Sequence, residues 1–423
     1  MALAACGGDV EDDEHKDPDK NIDIARSELA HDTNPDVAEA DALALVASNT
    51  AFGLDLFKRL AAEGPDQNLV ASPISATAAL AMTYAGARGE TATEMAAALH
   101  FDLPADKLHP AMNQLSMSLA GRNIATQKTE EGDKSVRLSL VNSLWAQKNY
   151  PLVPAFLDAL AVNYDAGVRL LDFMGDADSS RETINAWVGA ETNDRIKDLL
   201  PSGSITSATR LVLVNALYFY GSWATAFDIE QTKTQAFHAL GGDVQAPTMH
   251  AGAELRYADG DDYQVVDVPY YGDKLAMRIV LPAAGQLDAV RAAITPAWLT
   301  GVDSAMKHRP VALSLPRFRF QWGTTSLKPA LEGMGMTSAF TDKADFSGMN
   351  AQNELSIGDV LQQAFIGVDE AGTEAAAATA VIMLGTGAPE EPATFTADRP
   401  FIFFIRDASG SILFAGQVTD PTK

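Results

Sequence analysis

The sequence predicts an α+β protein built as one large domain, and three observations carry that reading. The chain of 423 residues shows no linker-like shift in composition after about residue 34. Segments with apolar residues at helical spacing are interspersed with segments that alternate at period two. Near the middle, residues 211–220 form an almost unbroken apolar run, the pattern of a central strand buried on both faces.

Composition narrows the function. There are 31 basic against 56 acidic residues, a formal net charge of -25. Such a balance argues against nucleic acid or anionic membrane as a partner held by a basic face. The single cysteine, Cys6, permits no intrachain disulfide, so the fold must stand on packing. Leu3, Ala4, Ala5, Cys6 and Gly7 have the form of a bacterial lipobox, in which small residues admit the signal peptidase and the thiol takes the lipid. Only Met1 and Ala2 precede it, without the charged and apolar regions of a signal peptide. The segment reads as a truncated lipoprotein signal, against a chance match in an alanine-rich chain. It places the protein outside the cytoplasm, secreted or lipid-anchored at a bacterial envelope. No other stretch reads as long and apolar enough to span a membrane.

Residues 1–36 combine this start with an acidic leader poor in aromatic residues, expected to be disordered. Asp17, Asp19, Asn21 and Glu28 fall at calcium-loop positions, but Ile22 stands where glycine is needed, so the spacing reads as chance. The domain occupies residues 37–423. Leu45, Val46, Phe52, Leu56, Phe57 and Leu60 mark a helix over 38–62, stopped by Gly64 and Pro65. Ser72 and Pro73 give an N-cap serine with proline at the first helical position. The helix that follows, 74–85, is apolar nearly all round and therefore buried. Strands are expected over 136–146 and 168–173, and helices over 154–164 and through Ile184, Trp187, Val188 and Ile196. Ser179 or Ser180 would cap the second of these helices. Further on, 265–269 and 275–282 flank a hairpin turn, 311–320 alternates as a strand, 327–334 is helical, and 402–406 and 412–418 close the chain as strands.

Residues 370–386, E-A-G-T-E-A-A-A-A-T-A-V-I-M-L-G-T, stand apart. Read locally, Thr373 caps an alanine helix that Gly385 stops. The same small side chains would also slide between packed neighbours at little steric cost. Fully extended, residues 372–386 span on the order of 50 Å at about 3.3 Å each, which suits insertion down a large sheet.

E-x-G-T-E-A-A-A-A-T resembles the proximal hinge of inhibitory serpins. The resemblance continues from about Ala42 to Thr419. Ser72, Pro73 and Ser75 match S-P-x-S; the run containing Asn215, followed by Gly221, Trp223 and Phe227, resembles the central strand and breach tryptophan. Ala344 to Met349 and Asp398-Arg399-Pro400-Phe401 are similar to two further motifs of the family. The resemblance implies three β-sheets, eight or nine helices and an exposed reactive-centre loop over about 370–394. It implies a hinge of Glu370, Gly372, Thr373, Glu374, Ala375, Ala376, Ala377, Ala378 and Thr379, and a shutter of Ser72, Ser75 and Asn215. Gln362 falls where many members carry a shutter histidine; glutamine donates and accepts without titrating near neutrality.

Enzyme chemistry finds little support. There is no H-E-x-x-H, no G-x-S-x-G and no G-K-[ST], and Ser304 and Lys307 satisfy S-x-x-K without an accompanying K-T-G. The resemblance instead implies a monomeric suicide inhibitor, without cofactor, that traps a serine protease, or secondarily a cysteine protease, as an acyl-enzyme. Counting the hinge forward places the scissile bond at Thr386-Gly387; counting back from Phe395 points nearer Pro389. No Lys or Arg lies between Ala371 and Asp398, so a trypsin-like pocket finds no cation, whereas small Thr386 suits elastase-like or subtilisin-like clefts, and Leu384 or Met383 leaves a chymotrypsin-like cut open. Residues 103–122 offer only Lys107 and Arg122 to a heparin-type polyanion. The alternative is a non-inhibitory member serving as a surface carrier, chaperone or interaction protein.

Overall fold

The computed structural model describes residues 18–20, 22–129, 132–192, 194, 196–373 and 391–423. Two hydrogen-bonded sheets organise them. The first runs Asp23–Ala25, Val168–Leu171, Gly132–Gln147, Leu211–Ser222, Gly372–Thr373, Val360–Val368, Phe318–Ser326, with Ile124–Thr129 folded back on Gly132–Gln147. The second has nine strands, among them Lys307–Pro316, Gly242–Asp259, Tyr263–Pro269, Leu275–Pro282, Phe401–Asp407 and Ile412–Val418. The expected second and third sheets are continuous here, because the 18-residue strand Gly242–Asp259 pairs with Lys307–Pro316 and then passes its last residues to Tyr263–Pro269. Nine α-helices occur among the described residues.

Both faces of the first sheet are covered, which is why its central strand reads as a continuous apolar run. On one side Trp187, Ile184 and Val188 of helix Ala177–Glu191 pack on Trp145, Val212, Val214 and Leu361. On the other side the strand meets helix Pro73–Tyr84, eleven of whose twelve residues are buried. Ser72 caps that helix as expected, its hydroxyl accepting from the Ser75 amide. Helix Ala177–Glu191 is capped by Asp176, not by Ser179 or Ser180; the Ser179 amide donates to the Asp176 carboxylate, and the Ser180 hydroxyl turns back to the Asp176 carbonyl. Helix Glu39–Glu63 is long and apolar enough by length and composition to cross a membrane, contrary to expectation. It is a core helix, with Phe52, Leu56 and Phe57 fully buried.

Two further expectations need correction. The single strand expected over 311–320 is two strands in different sheets, Lys307–Pro316 and Phe318–Ser326, with Arg317 at the crossing. The leader is ordered at residues 18–20 and from Ile22 onward. Asp23–Ala25 pairs with Val168–Leu171 as an edge strand, and Asp19 accepts from Arg169 Nε and Nη2, at 2.7 and 2.9 Å, and from the Trp187 indole N–H at 3.0 Å. Its polar composition misled because what holds it is main-chain pairing and charge-assisted hydrogen bonding, not apolar burial.

Helices Ala105–Ala120 and Pro154–Tyr164 enclose His109 against the rings of Tyr84 and Tyr164, with Nδ1 2.7 Å from the Tyr164 hydroxyl. Burial lowers the His109 pKa to about 4. The unfolded chain, with histidine near 6.5, then binds the proton first, so stability is complete above that value and falls as pH drops towards 4. The expected loss is roughly 2 kcal/mol by pH 5. Denaturant titrations at pH 7.5 and 5 should show it, and His109→Gln should remove that part of the pH dependence.

Candidate functional site

The site is the seam between the two inner strands of the first sheet. Their parallel pairing covers Val360–Gln363 against Leu213–Ala216, with Gln362 directly opposite Asn215. Beneath this closed end lies a polar cluster in an otherwise apolar layer. Gln362 accepts from the Ser72 amide at 2.9 Å and donates to the Ser72 carbonyl at 2.9 Å and to Asn215 Oδ1 at 2.6 Å. Asn215 Nδ2 donates to Ser75 Oγ at 2.7 Å and to Asn142 Oδ1 at 2.9 Å, and Ser75 Oγ donates to Asn142 at 3.1 Å. Ser72, Ser75, Asn215 and Gln362 are each at most 1% exposed, so Gln362 is not a surface glutamine. The sequence reading missed Asn142, which lies opposite Asn215 across the sheet. A lone asparagine inside the strand-like run 136–146 was the signal, since a polar side chain there needs partners.

At the other end the seam is occupied by the start of the loop. Gly372 pairs with Ser222, and Thr373 pairs with both Gly221 and Val368, so these two residues already sit between the two strands. Thr373 is extended strand, and the alanine run it was expected to cap lies outside the described residues; its hydroxyl lies 2.6 Å from the buried Tyr270 hydroxyl. Burial pushes the Tyr270 pKa up, which keeps that hydroxyl neutral. Gly372 is required by close approach, because a Cβ there would stand 2.1 Å from the Gly221 carbonyl oxygen.

Trp223, fully buried, anchors the turn before the hinge. Its indole N–H donates to the Asp369 carbonyl and its amide to the Ala371 carbonyl, both at 2.9 Å, and its ring stacks on Tyr270 with centroids 4.6 Å apart. Asp369 caps the turn by accepting from the amides of Ala371 and Gly372, while burial raises its pKa. Glu370, 5% exposed, accepts from the Thr232 hydroxyl and from Arg317 Nε at 2.7 Å. Thr232, Tyr270 and Arg317 were not singled out in the sequence; nothing local marks residues that meet the hinge only through the tertiary fold. Glu374 to Thr379, Thr386, Gly387 and Cys6 lie outside the described residues. Beyond them the chain resumes as Ala393–Thr396, parallel to Val311–Ser314 of the second sheet.

Residues 47–421 match the family model described as serpin, serine protease inhibitor. The chain belongs to the serpin family. A serpin-like protein of Thermococcus kodakarensis, itself uncharacterized, is 37% identical over all of this chain and 97% of its own length. The leukocyte elastase inhibitor of Bos taurus is 36% identical over 89% of this serpin and 99% of the relative. Among solved structures, the thermophilic serpin Tengpin in its native state superposes with a TM-score of 0.79 at 28% identity, over 94% of this chain and 97% of that one. This serpin therefore has the mixed α+β fold of its family, with Gly372–Thr373 between the inner strands at one end of the seam and the polar cluster at the other.

Proposed function

We propose that this serpin is a suicide inhibitor of serine proteases with elastase-like or subtilisin-like specificity, not an enzyme. The observation that carries the reading is the register of the hinge. Thr373 stands opposite Gly221 on one strand and Val368 on the other, and the hinge runs antiparallel to both. Continuing that pairing six residues brings Thr379 opposite Asn215 and Gln362, the pair that faces each other directly in the closed part of the seam. Both neighbours therefore accept the inserted chain in one register, with no slip required.

Strand periodicity extends the argument. Thr373 faces the protein interior, so Ala375, Ala377 and Thr379 would follow on the same inward face. Two alanines enter the seam at little steric cost, and the threonine hydroxyl arrives where Gln362 and Asn215 lose each other. Insertion would exchange that contact for two new ladders of main-chain hydrogen bonds. The native state is thus a stored one, released when a protease cuts the loop. The acylated protease is carried along before the ester hydrolyses. The lipobox-like run from Leu3 to Gly7 supports the further proposal that the chain is extracytoplasmic, either secreted or lipid-anchored through Cys6.

The test is incubation with excess elastase, subtilisin or trypsin, followed by denaturing electrophoresis and mass spectrometry of the released C-terminal fragment. A covalent band with elastase or subtilisin, and a new amino terminus at Gly387, are expected. A terminus beyond Pro389, or trapping by trypsin alone, would overturn the specificity; absence of any covalent band would overturn inhibition.

A further inference from the structure

An inserting hinge must enter the seam in one register, and the alanine run scarcely specifies one. Residues 375–378 are all alanine, so a slip of two residues keeps the inward and outward faces and exchanges like for like. A hydroxyl breaks that degeneracy. From Ala371 to Ala378, Thr373 is the one residue that carries it. A single buried group stands against it, the phenol of Tyr270.

Tyr270 follows strand Tyr263–Pro269 of the second sheet, and its backbone is fixed on both sides. Its amide donates to the Leu275 carbonyl, the Pro269 carbonyl accepts from the Ala224 amide, and the Tyr271 amide donates to the Ser222 carbonyl. The ring stacks on Trp223 with centroids 4.6 Å apart and meets Phe219 edge-on at 5.0 Å. Gly221 makes room for it, since a Cβ there would stand 2.8 Å from the ring's Cδ1. So held, the hydroxyl is fully buried, and among the described residues its hydrogen-bond partner is Thr373, at 2.6 Å. The turn before the hinge is held separately, by Trp223 and Asp369, as far as Gly372. Thr373 is thus the first rung whose identity a side chain reads. Placing Ala375 on that rung, with Thr373 and Glu374 bulged out, would leave the phenol buried without a partner. Placing Glu374 there would bury a carboxylate.

We propose that Tyr270 is a positioning residue that sets the register of loop insertion, its hydroxyl admitting Thr373 to the first rung in preference to any residue of the alanine run. The inference rests on the reading of this chain as a loop-inserting inhibitor. Disulfide trapping in the cleaved protein tests it, in a Cys6→Ser chain that carries Ala377→Cys. Continued pairing puts residue 377 opposite Ala364 in the expected register and opposite Ile366 after a two-residue slip, so Ala364→Cys and Ile366→Cys, made separately, report the two states. The loop is cut with thermolysin, a metalloprotease that forms no acyl-enzyme, so the readout is independent of trapping. After oxidation, mass spectrometry should find the link to 364 dominant. Tyr270→Phe keeps the stacked ring and removes one hydrogen bond, and should raise the yield of the 366 link relative to the 364 link at least about fivefold. Thr373→Val should do the same from the other side, and covers the case in which Tyr270→Phe fails to fold. Combining the two should add nothing, and Thr373→Ser, which restores a hydroxyl, should bring the ratio back towards that of the parent. An unchanged ratio in folded Tyr270→Phe or in Thr373→Val would overturn the inference while leaving insertion intact. No link at either position in the parent would overturn insertion itself, and this inference with it.

Discussion

Thr373→Arg is expected to turn the inhibitor into a substrate: the protease still cuts the loop, but turnover replaces trapping. Thr373 is 2% exposed and shares a 2.6 Å hydrogen bond with Tyr270, whose ring is stacked on Trp223. An arginine there must either bury its guanidinium beside two aromatic rings or hold the hinge out of the seam, and desolvating an unpaired charge is expensive. Trapping depends on a race between insertion and deacylation, so slowing insertion by only ~1.4 kcal/mol shifts the outcome about tenfold. The stoichiometry of inhibition, read as moles of serpin consumed per mole of protease inactivated, should rise at least about tenfold. An unchanged stoichiometry would count against loop insertion.

Asn215→Ala should loosen the seam from its closed end. Asn215 bonds three partners, accepting from Gln362 and donating to Ser75 and Asn142, and it is fully buried. Truncation removes three buried hydrogen bonds, although Gln362, Ser75 and Asn142 each keep another partner, a loss on the order of 3 kcal/mol. The hinge would then find less resistance, and the hinge of a second molecule could enter as readily as its own. Thermal unfolding should move down, and size-exclusion chromatography after mild heating should show polymers. A variant as stable and as monomeric as the wild type would mean that the cluster does not control the sheet.

Much of this was legible in the sequence because it is written locally. Ser72 before Pro73 announces a capped helix, and an asparagine inside the apolar run 211–220 announces a buried polar contact. The identity of partners across the fold was less legible. Asn142 and Gln362 reach Asn215 only through strand register, and Arg317 reaches Glu370 only because the chain changes sheets at that residue. The leader misled for a different reason: Asp19 and Asp23–Ala25 are held by Arg169 and by a sheet edge far along the chain, and composition does not report such partners.

The central claim is that the seam accepts the cleaved hinge. Thermal unfolding before and after a single cut in the loop tests it most directly. An ordinary nick frees chain ends and gains nothing for the folded state, so it should leave the transition where it was or lower it. Insertion instead adds a strand paired on both sides and replaces the Gln362 to Asn215 contact with a continuous ladder. The account predicts a sharply higher unfolding temperature for the cleaved protein, with the two fragments still associated. A transition that stays in place or falls after cleavage would contradict it.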